Sequence, residues 1–280
     1  MIFTLIKIEL FKTFAKWRTY IGFIAIGVLF PVIMYFLKTE GGGIVDSSMR
    51  SIKNEFLISG NLFNAWVVTE FIMNSLWIHV PFLIVLVAGD MLSGEATAGT
   101  FRFSLIRPIT RTEFLISKFI VNLFYASSLL IFMWALCVGL GLYLFGSGDL
   151  VSLADGMITI IPESEAAMRI ALAFGLAIIS MWVVASLAFL FSSFIENAIG
   201  PIIGTMAIMV FSLIISNLPV DAVEPYKPYL FTTYQSVWLE AFKYEIDWVK
   251  ISDSIIALGI NIFAFFLISY FIFIRKDIRS

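Results

Sequence analysis

Glu95, Arg102, Arg107 and Arg111 lie within the 18 residues Gly94–Arg111, GEATAGTFRFSLIRPITR. Carboxylate and guanidinium groups at these intervals can make charge-assisted hydrogen bonds to a protein surface. They contain no nucleophile paired with a base. The chain has one histidine, His79, and one cysteine, Cys137. A disulfide within the chain is therefore impossible, and so is a thiolate metal cluster. HExxH, paired histidine ligands and GxSxG are all absent, which argues against the familiar intramembrane proteases. The chemistry on offer is docking, not bond breaking.

Other polar residues sit inside apolar runs, where they are costly and often functional. Glu70 and Asn74 are four apart and share a helix face, as do Ser75 and His79. Pro81 follows as a kink point. Asn122, Ser127, Ser128 and Asn261 lie in later runs. Such groups either line a substrate path or hydrogen-bond between helices at roughly 0.6 kcal/mol each. The second reading is preferred for the last four. Glu70 is expected at the outer boundary, where water can solvate it. His79 is expected nearer the midplane, neutral and bonded to a backbone carbonyl.

The elements that position these residues are set by composition. The 280 residues are 60% hydrophobic and 14% charged, and mean hydropathy is +0.99. A soluble domain carries about 25% charged residues. Lipid is therefore the solvent for most of this chain. A net charge of −2 gives no basis for nucleic-acid binding. A spanning helix needs roughly 20 apolar residues. Six segments qualify: Trp17–Leu37, Phe63–Ala88, Phe119–Phe145, Ile170–Ile195, Ala198–Leu218 and Ile251–Ile274. Gly200-Pro201 separates the fourth from the fifth. The first lacks an A-x-A cleavage pattern, so it is expected to be retained rather than cleaved as a signal.

Residues 1–16 form an amphipathic segment. Phe3, Ile6, Leu10, Phe14 and Trp17 recur at helical spacing, with Lys7, Lys12 and Lys16 supplying charge. A helix of this kind lies on an anionic leaflet. Lysine and arginine set the orientation. With the N-terminus inside, the inner side holds Lys7, Lys12, Lys16, Arg18, Arg102, Arg107, Arg111, Lys118, Arg275, Lys276 and Arg279. The outer side holds Lys38, Arg50, Lys53, Arg169, Lys227, Lys243 and Lys250, among many acidic residues. Both termini are thus expected in the cytoplasm. The Gly94–Arg111 stretch becomes the only substantial cytoplasmic loop.

Within that loop, Gly94 and Gly99 are breaks, and Arg107-Pro108 disfavours helix before the proline. Glu95–Ile106 is long enough for a short helix along the membrane. Thr110-Arg-Thr-Glu113 then predicts a capping box that opens the third span. A short helix between two spans could pass a push from a soluble partner to both. The alternative is a polar loop whose arginines simply follow the inside-positive bias. On the other side, Gly146–Met168 reads as a short acidic loop. Pro219–Lys250 turns amphipathic after its prolines and predicts short helices, with Trp238 and Phe242 on one apolar face.

The stretch AGDMLSGEATAGTFRFSLIRPITRTEFLISKFI resembles the signature of ABC transporter permeases of the ABC-2 export class. Glu95, Gly99-Thr100, Pro108, Thr110-Arg111 and Lys118 match it in order and spacing. Arg102 departs from it, standing where that class often has an acidic or neutral residue. FSSFIENAIGPIIGTMAIMV, with its tight turn before the fifth span, extends the similarity. The resemblance implies an all-α integral membrane protein with six transmembrane helices. It also implies an interfacial N-terminal helix, a coupling helix in residues 93–111 and re-entrant outer helices in residues 219–250. All belong to one permease domain, residues 1–280, in the inner (cytoplasmic) membrane.

The function so implied is that of the membrane subunit of an exporter for a lipid, peptide, drug-like or other amphipathic solute. Glu95, Gly99, Thr100, Arg102, Arg107, Pro108 and Arg111 would couple it to an ATP-binding-cassette ATPase subunit. Glu70, Asn74, His79, Asn122 and Asn261 are the candidates for a translocation path. The chain has no GxxxxGK[ST] loop, so ATP and Mg would be held by the partner. A second permease copy, identical or not, would complete the pair. Two alternatives are a related subunit that drives an extracytoplasmic process without moving a solute, and an integral membrane enzyme.

Overall fold

The computed structural model describes residues 2–48, 63–99, 110–152 and 158–275, without the side chains of residues 41–48. Among these residues, six helices are long and apolar enough to cross a membrane. The protein is a multi-pass membrane protein by that measure. Nine α-helices are described, numbered here in chain order. Helix α1 is Ile2–Ala15 and α2 is Trp17–Ser48. Next come α3 (Ala65–Leu76), α4 (Val80–Ala88) and α5 (Asp90–Thr97), the last two together forming the second span, Val80–Thr97. Helix α6 is Arg111–Phe145, α7 is Glu163–Phe194, α8 is Gly200–Asn217 and α9 is Trp248–Arg275.

Helix α7 is the axis of the bundle. It packs against α3, α4, α5, α6, α8 and α9. Its sequence explains this role, because Ala166, Ala173, Ala177, Ser180, Ala185 and Ala188 are all fully buried. In lipid, small residues let helix backbones approach closely, and that packing drives association. Helices α8 and α9 instead bury few of their residues completely. At about 1.5 Å per residue, α6 and α7 are roughly 52 and 48 Å long. Both exceed the roughly 30 Å hydrocarbon core, so their ends project beyond it.

The expected breaks are present, with two shifts. The fourth and fifth spans separate between Phe194 and Gly200, as Gly200-Pro201 predicts. The run Phe63–Ala88, expected as the second span, is not one straight helix. It is interrupted at residues 77–79, just ahead of Pro81, and again at Gly89 before continuing to Thr97. Pro81 has no N–H to give to the preceding turn. The helix of the third span begins at Arg111, ahead of the apolar run that starts at Phe119. The predicted capping box is formed there: the Thr110 hydroxyl accepts from the Glu113 N–H, and the Glu113 carboxylate accepts from the Thr110 N–H.

The two ends of the bundle differ. At one end lie α1, α5, the start of α6 and the C-terminus of α9. At the other, Gly146–Met168 is more than an acidic loop: Leu150–Ser152 (β1) pairs antiparallel with Thr159–Ile161 (β2), with Val151 opposite Ile160. Strands of three residues leave too little alternation to be read from sequence. Beyond α8, three short 3₁₀-helices follow: Glu224–Tyr229, Phe231–Tyr234 and Val237–Phe242. Trp238 and Phe242 are buried as expected. Trp238 packs on Trp77, with ring centroids 5.1 Å apart.

Arg169 fastens this end. It is buried on α7, and its guanidinium donates to the backbone oxygens of Ala241 (3.4 Å), Lys243 (3.2 Å) and Tyr244 (3.3 Å). It also meets the Glu165 carboxylate at 3.3 Å. These bonds satisfy carbonyls that the end of a 3₁₀-helix leaves free.

Candidate functional site

The polar cluster at the α1–α5 end is built from four elements. Helix α1 buries Leu5, Glu9 and Thr13, one turn apart, against the bundle. An acid on that stripe requires a partner. Its partner is Lys118, two turns into α6. Lys118 Nζ lies 2.7 Å from Glu9 Oε2 and 2.8 Å from Glu95 Oε1. Lys12 Nζ lies 2.7 Å from Glu9 Oε1 and 3.5 Å from Glu95 Oε1. Two ammonium groups thus alternate with two carboxylates. Lys118 also stands over the Phe114 ring, 5.0 Å from its centroid, a cation–π contact one turn down its own helix.

Asp90, at the start of α5, closes a second set. Its carboxylate takes Arg18 Nη1 at 2.7 Å and Lys16 Nζ at 3.1 Å. The residue one turn later is Gly94. A Cβ there would lie 2.4 Å from Asp90 Oδ1, so only glycine lets the carboxylate lie across the helix surface. Together these pairs tie α1 and the start of α2 to α5 and α6.

The other face of α5 is held by α7. The break at Gly89 leaves first-turn N–H groups without helical partners. Ser192 Oγ accepts from Leu92 N (3.0 Å) and Ser93 N (2.9 Å), and donates to Gly89 O (2.7 Å). Thr97 Oγ1 donates to Glu196 O at 2.8 Å, bridging α5 to the turn between α7 and α8. Just past the end of α5 stands Gly99, whose φ of +64° is a left-handed conformation that suits glycine.

These positions revise several expectations. Of the short helix expected over Glu95–Ile106, the part from Thr100 onward lies outside the described residues, and Glu95 itself is not at a helix start. It belongs to α5, which continues the second span and ends at Thr97. It is 8% exposed and faces Lys118. Thr100, Arg102, Arg107 and Pro108 lie outside the described residues. Arg111 Nη1 donates to Ile274 O at 3.0 Å, serving the C-terminal carbonyls of α9 rather than joining Glu95.

The five candidates for a path are scattered. Glu70 is not solvated: β1 covers it, and it accepts from Ser152 Oγ at 2.5 Å. Asn74, one turn further along α3, is exposed. His79 is exposed at the N-terminal end of α4, and its ring makes no hydrogen bond among the described residues, unlike the carbonyl bond expected. Asn122 Nδ2 donates to Ala185 O at 2.8 Å, an interhelical bond as expected. Ser127 accepts from Trp182 Nε1 at 2.9 Å, again between helices. Ser128 and Asn261 instead donate to Phe124 O and Ala257 O of their own helices. A hydroxyl or amide can always reach the carbonyl one turn back, so these two add nothing between helices.

Glu9, Asp90 and Ser192 are the members that motif reading passed over. Glu9 carried a signal, as the one acid on an apolar stripe among lysines. Burial pushes its carboxyl up, but Lys118 and Lys12 outweigh that and hold it below its usual value of 4.5. Burial pushes the Lys12 ammonium down, and Glu9 and Glu95 outweigh that and hold it above its usual 10.5. A lowered carboxyl contributes stability above its unfolded value that is lost as pH falls. A raised ammonium contributes below its unfolded value and loses that as pH rises. Thermal stability of the detergent-solubilised protein is therefore expected to be level between these limits and to fall off outside them. In Glu9→Gln the acid-side fall should shrink. An unchanged acid limb in that variant would contradict the pairing.

No curated protein matches the chain. The family described as a protein of unknown function (DUF2705) matches residues 22–279, from the first span to the C-terminus, and the chain belongs to that family.

Proposed function

We propose that this protein is the membrane-spanning subunit of an ABC-2 type export complex. A separate ATP-binding-cassette subunit drives it and carries the ATP and Mg. The observation that carries this reading is the fastening of α5. One face of α5 is ion-paired to α1, α2 and α6, and the other is hydrogen-bonded to α7 and the α7–α8 turn. Force applied to the adjoining loop would reach most of the bundle through contacts that do not slip independently. In this reading residues 93–111 are the coupling segment, the termini face the cytoplasm of the inner membrane, and the Pro219–Lys250 helices are re-entrant. Two permease copies make the working unit, and the solute is amphipathic. Within that frame Glu95 sets the shape of the docking surface from beneath. The arginines of the loop are the contacts.

Affinity isolation of the tagged chain from its native membrane, followed by mass spectrometry, tests this. A soluble subunit with a GxxxxGK[ST] loop should be recovered in comparable amount. The purified assembly should hydrolyse ATP, and the isolated chain should not. Catalytic turnover by the chain alone, with no nucleotide-binding partner, would favour a membrane enzyme instead.

A further inference from the structure

Between α1 and α5 lies a groove of about 530 Å³, lined by Lys12, Lys16, Phe11, Gly94 and Glu95 among others. Its size is in the range of small-ligand sites, roughly 300–1,000 Å³. Its charge is unbalanced. Around it, Lys12, Lys16, Arg18 and Lys118 face only three described carboxylates, Glu9, Asp90 and Glu95. Lys12 and Lys16 are about half exposed at their side chains, 41% and 48%. Each can direct further N–H donors into the groove, since an ammonium carries three.

The position of α1 says what fills the groove. A single residue, Lys16, separates α1 from the first span, so α1 lies at the membrane boundary. While one face of α1 packs on the bundle, Phe3, Lys7 and Phe11 are exposed one turn apart, Phe3 and Lys7 clear of the groove and Phe11 in its lining. Exposed rings flanking a lysine anchor a helix in the acyl layer next to anionic headgroups. A soluble anion would need the cations but not the rings.

We infer that the α1–α5 groove is a binding site for the headgroup of an anionic phospholipid of the adjacent leaflet. Lys12 and Lys16 hold the phosphate, and Phe3 and Phe11 lie among the acyl chains. The lipid thereby bridges α1 to α5 beside the ion-paired cluster. This inference does not rest on the transport reading, and it stands or falls apart from it.

Native mass spectrometry of the delipidated full chain tests the site, with phosphatidylglycerol and phosphatidylcholine titrated separately. Wild type should bind one phosphatidylglycerol in clear preference to phosphatidylcholine. Millimolar inorganic phosphate should not displace it. Lys12→Gln with Lys16→Gln should weaken phosphatidylglycerol binding about 30-fold, about five-fold per cation near an anionic surface. Phosphatidylcholine binding should not change. Lys12→Arg with Lys16→Arg should keep the preference. If the double glutamine variant does not fold, Lys16→Gln alone serves, with an expected loss of about five-fold. Equal binding of the two lipids by wild type, full displacement by phosphate, or undiminished phosphatidylglycerol binding by the glutamine variant would each overturn the site.

Discussion

Lys118→Met is expected to destabilise the protein by about 3–5 kcal/mol, the cost of removing one partner from a buried ion pair. Lys118 is 3% exposed at its side chain, and its two carboxylates are 6% and 11% exposed. Methionine keeps the aliphatic volume but removes the buried ammonium that Glu9 and Glu95 share, and Lys12, the other cation between them, is itself 41% exposed. The two acids would have to protonate or draw water into the α1–α6 contact. Adding Glu9→Gln and Glu95→Gln to Lys118→Met should recover most of the loss, since neutral groups tolerate burial better. Thermal unfolding in detergent, followed by tryptophan fluorescence, would measure both variants. A stability close to wild type in Lys118→Met would mean that the cluster is hydrated and does not hold α1 in place.

The second large effect belongs to the opposite end. Arg169→Ala should cost about 2–3 kcal/mol, because it strips donors from three carbonyls and a carboxylate. The individual bonds are long, 3.2 to 3.4 Å, which keeps the figure below a simple sum. The loss should be local. Val237–Phe242 should become accessible to protease while the α1–α5 end is untouched. Arg169→Lys should rescue only part of it, since a single ammonium cannot reach several carbonyls as a planar guanidinium does. Protease resistance of Arg169→Ala equal to wild type would show that packing of Trp238 and Phe242 suffices by itself.

The sequence and the fold agree wherever a signal is local. Spans follow from runs of apolar residues, the α7–α8 break from Gly200-Pro201, and the start of α6 from Thr110 and Glu113. The kink ahead of Pro81 has the same character. What was not legible depends on distant elements meeting. Glu9 and Lys118 are 109 residues apart in sequence, and Leu92 and Ser192 are 100 apart. No periodicity encodes such a pair. The burial of Glu70 has the same origin, because β1, which covers it, is three residues long and leaves no alternation to read. Glu95 was legible as important but not in its direction. Its spacing fits a contact with a partner, whereas its observed ion pairs are with Lys118 and Lys12.

The most direct measurement is a photo-crosslink from the end of α5 in living cells. Ala98 is exposed beside the loop, next to Thr97, which bridges to Glu196. A photo-reactive amino acid in its place should yield an adduct with a soluble subunit bearing a nucleotide-binding GxxxxGK[ST] loop. The same group in place of Tyr226, exposed at the opposite end, should yield none. Adducts with such a subunit from Ala98 and not from Tyr226 are what the account predicts. If Ala98 captures only lipid or nothing, while Tyr226 captures a protein, the coupling end has been assigned to the wrong side and the proposed function fails with it.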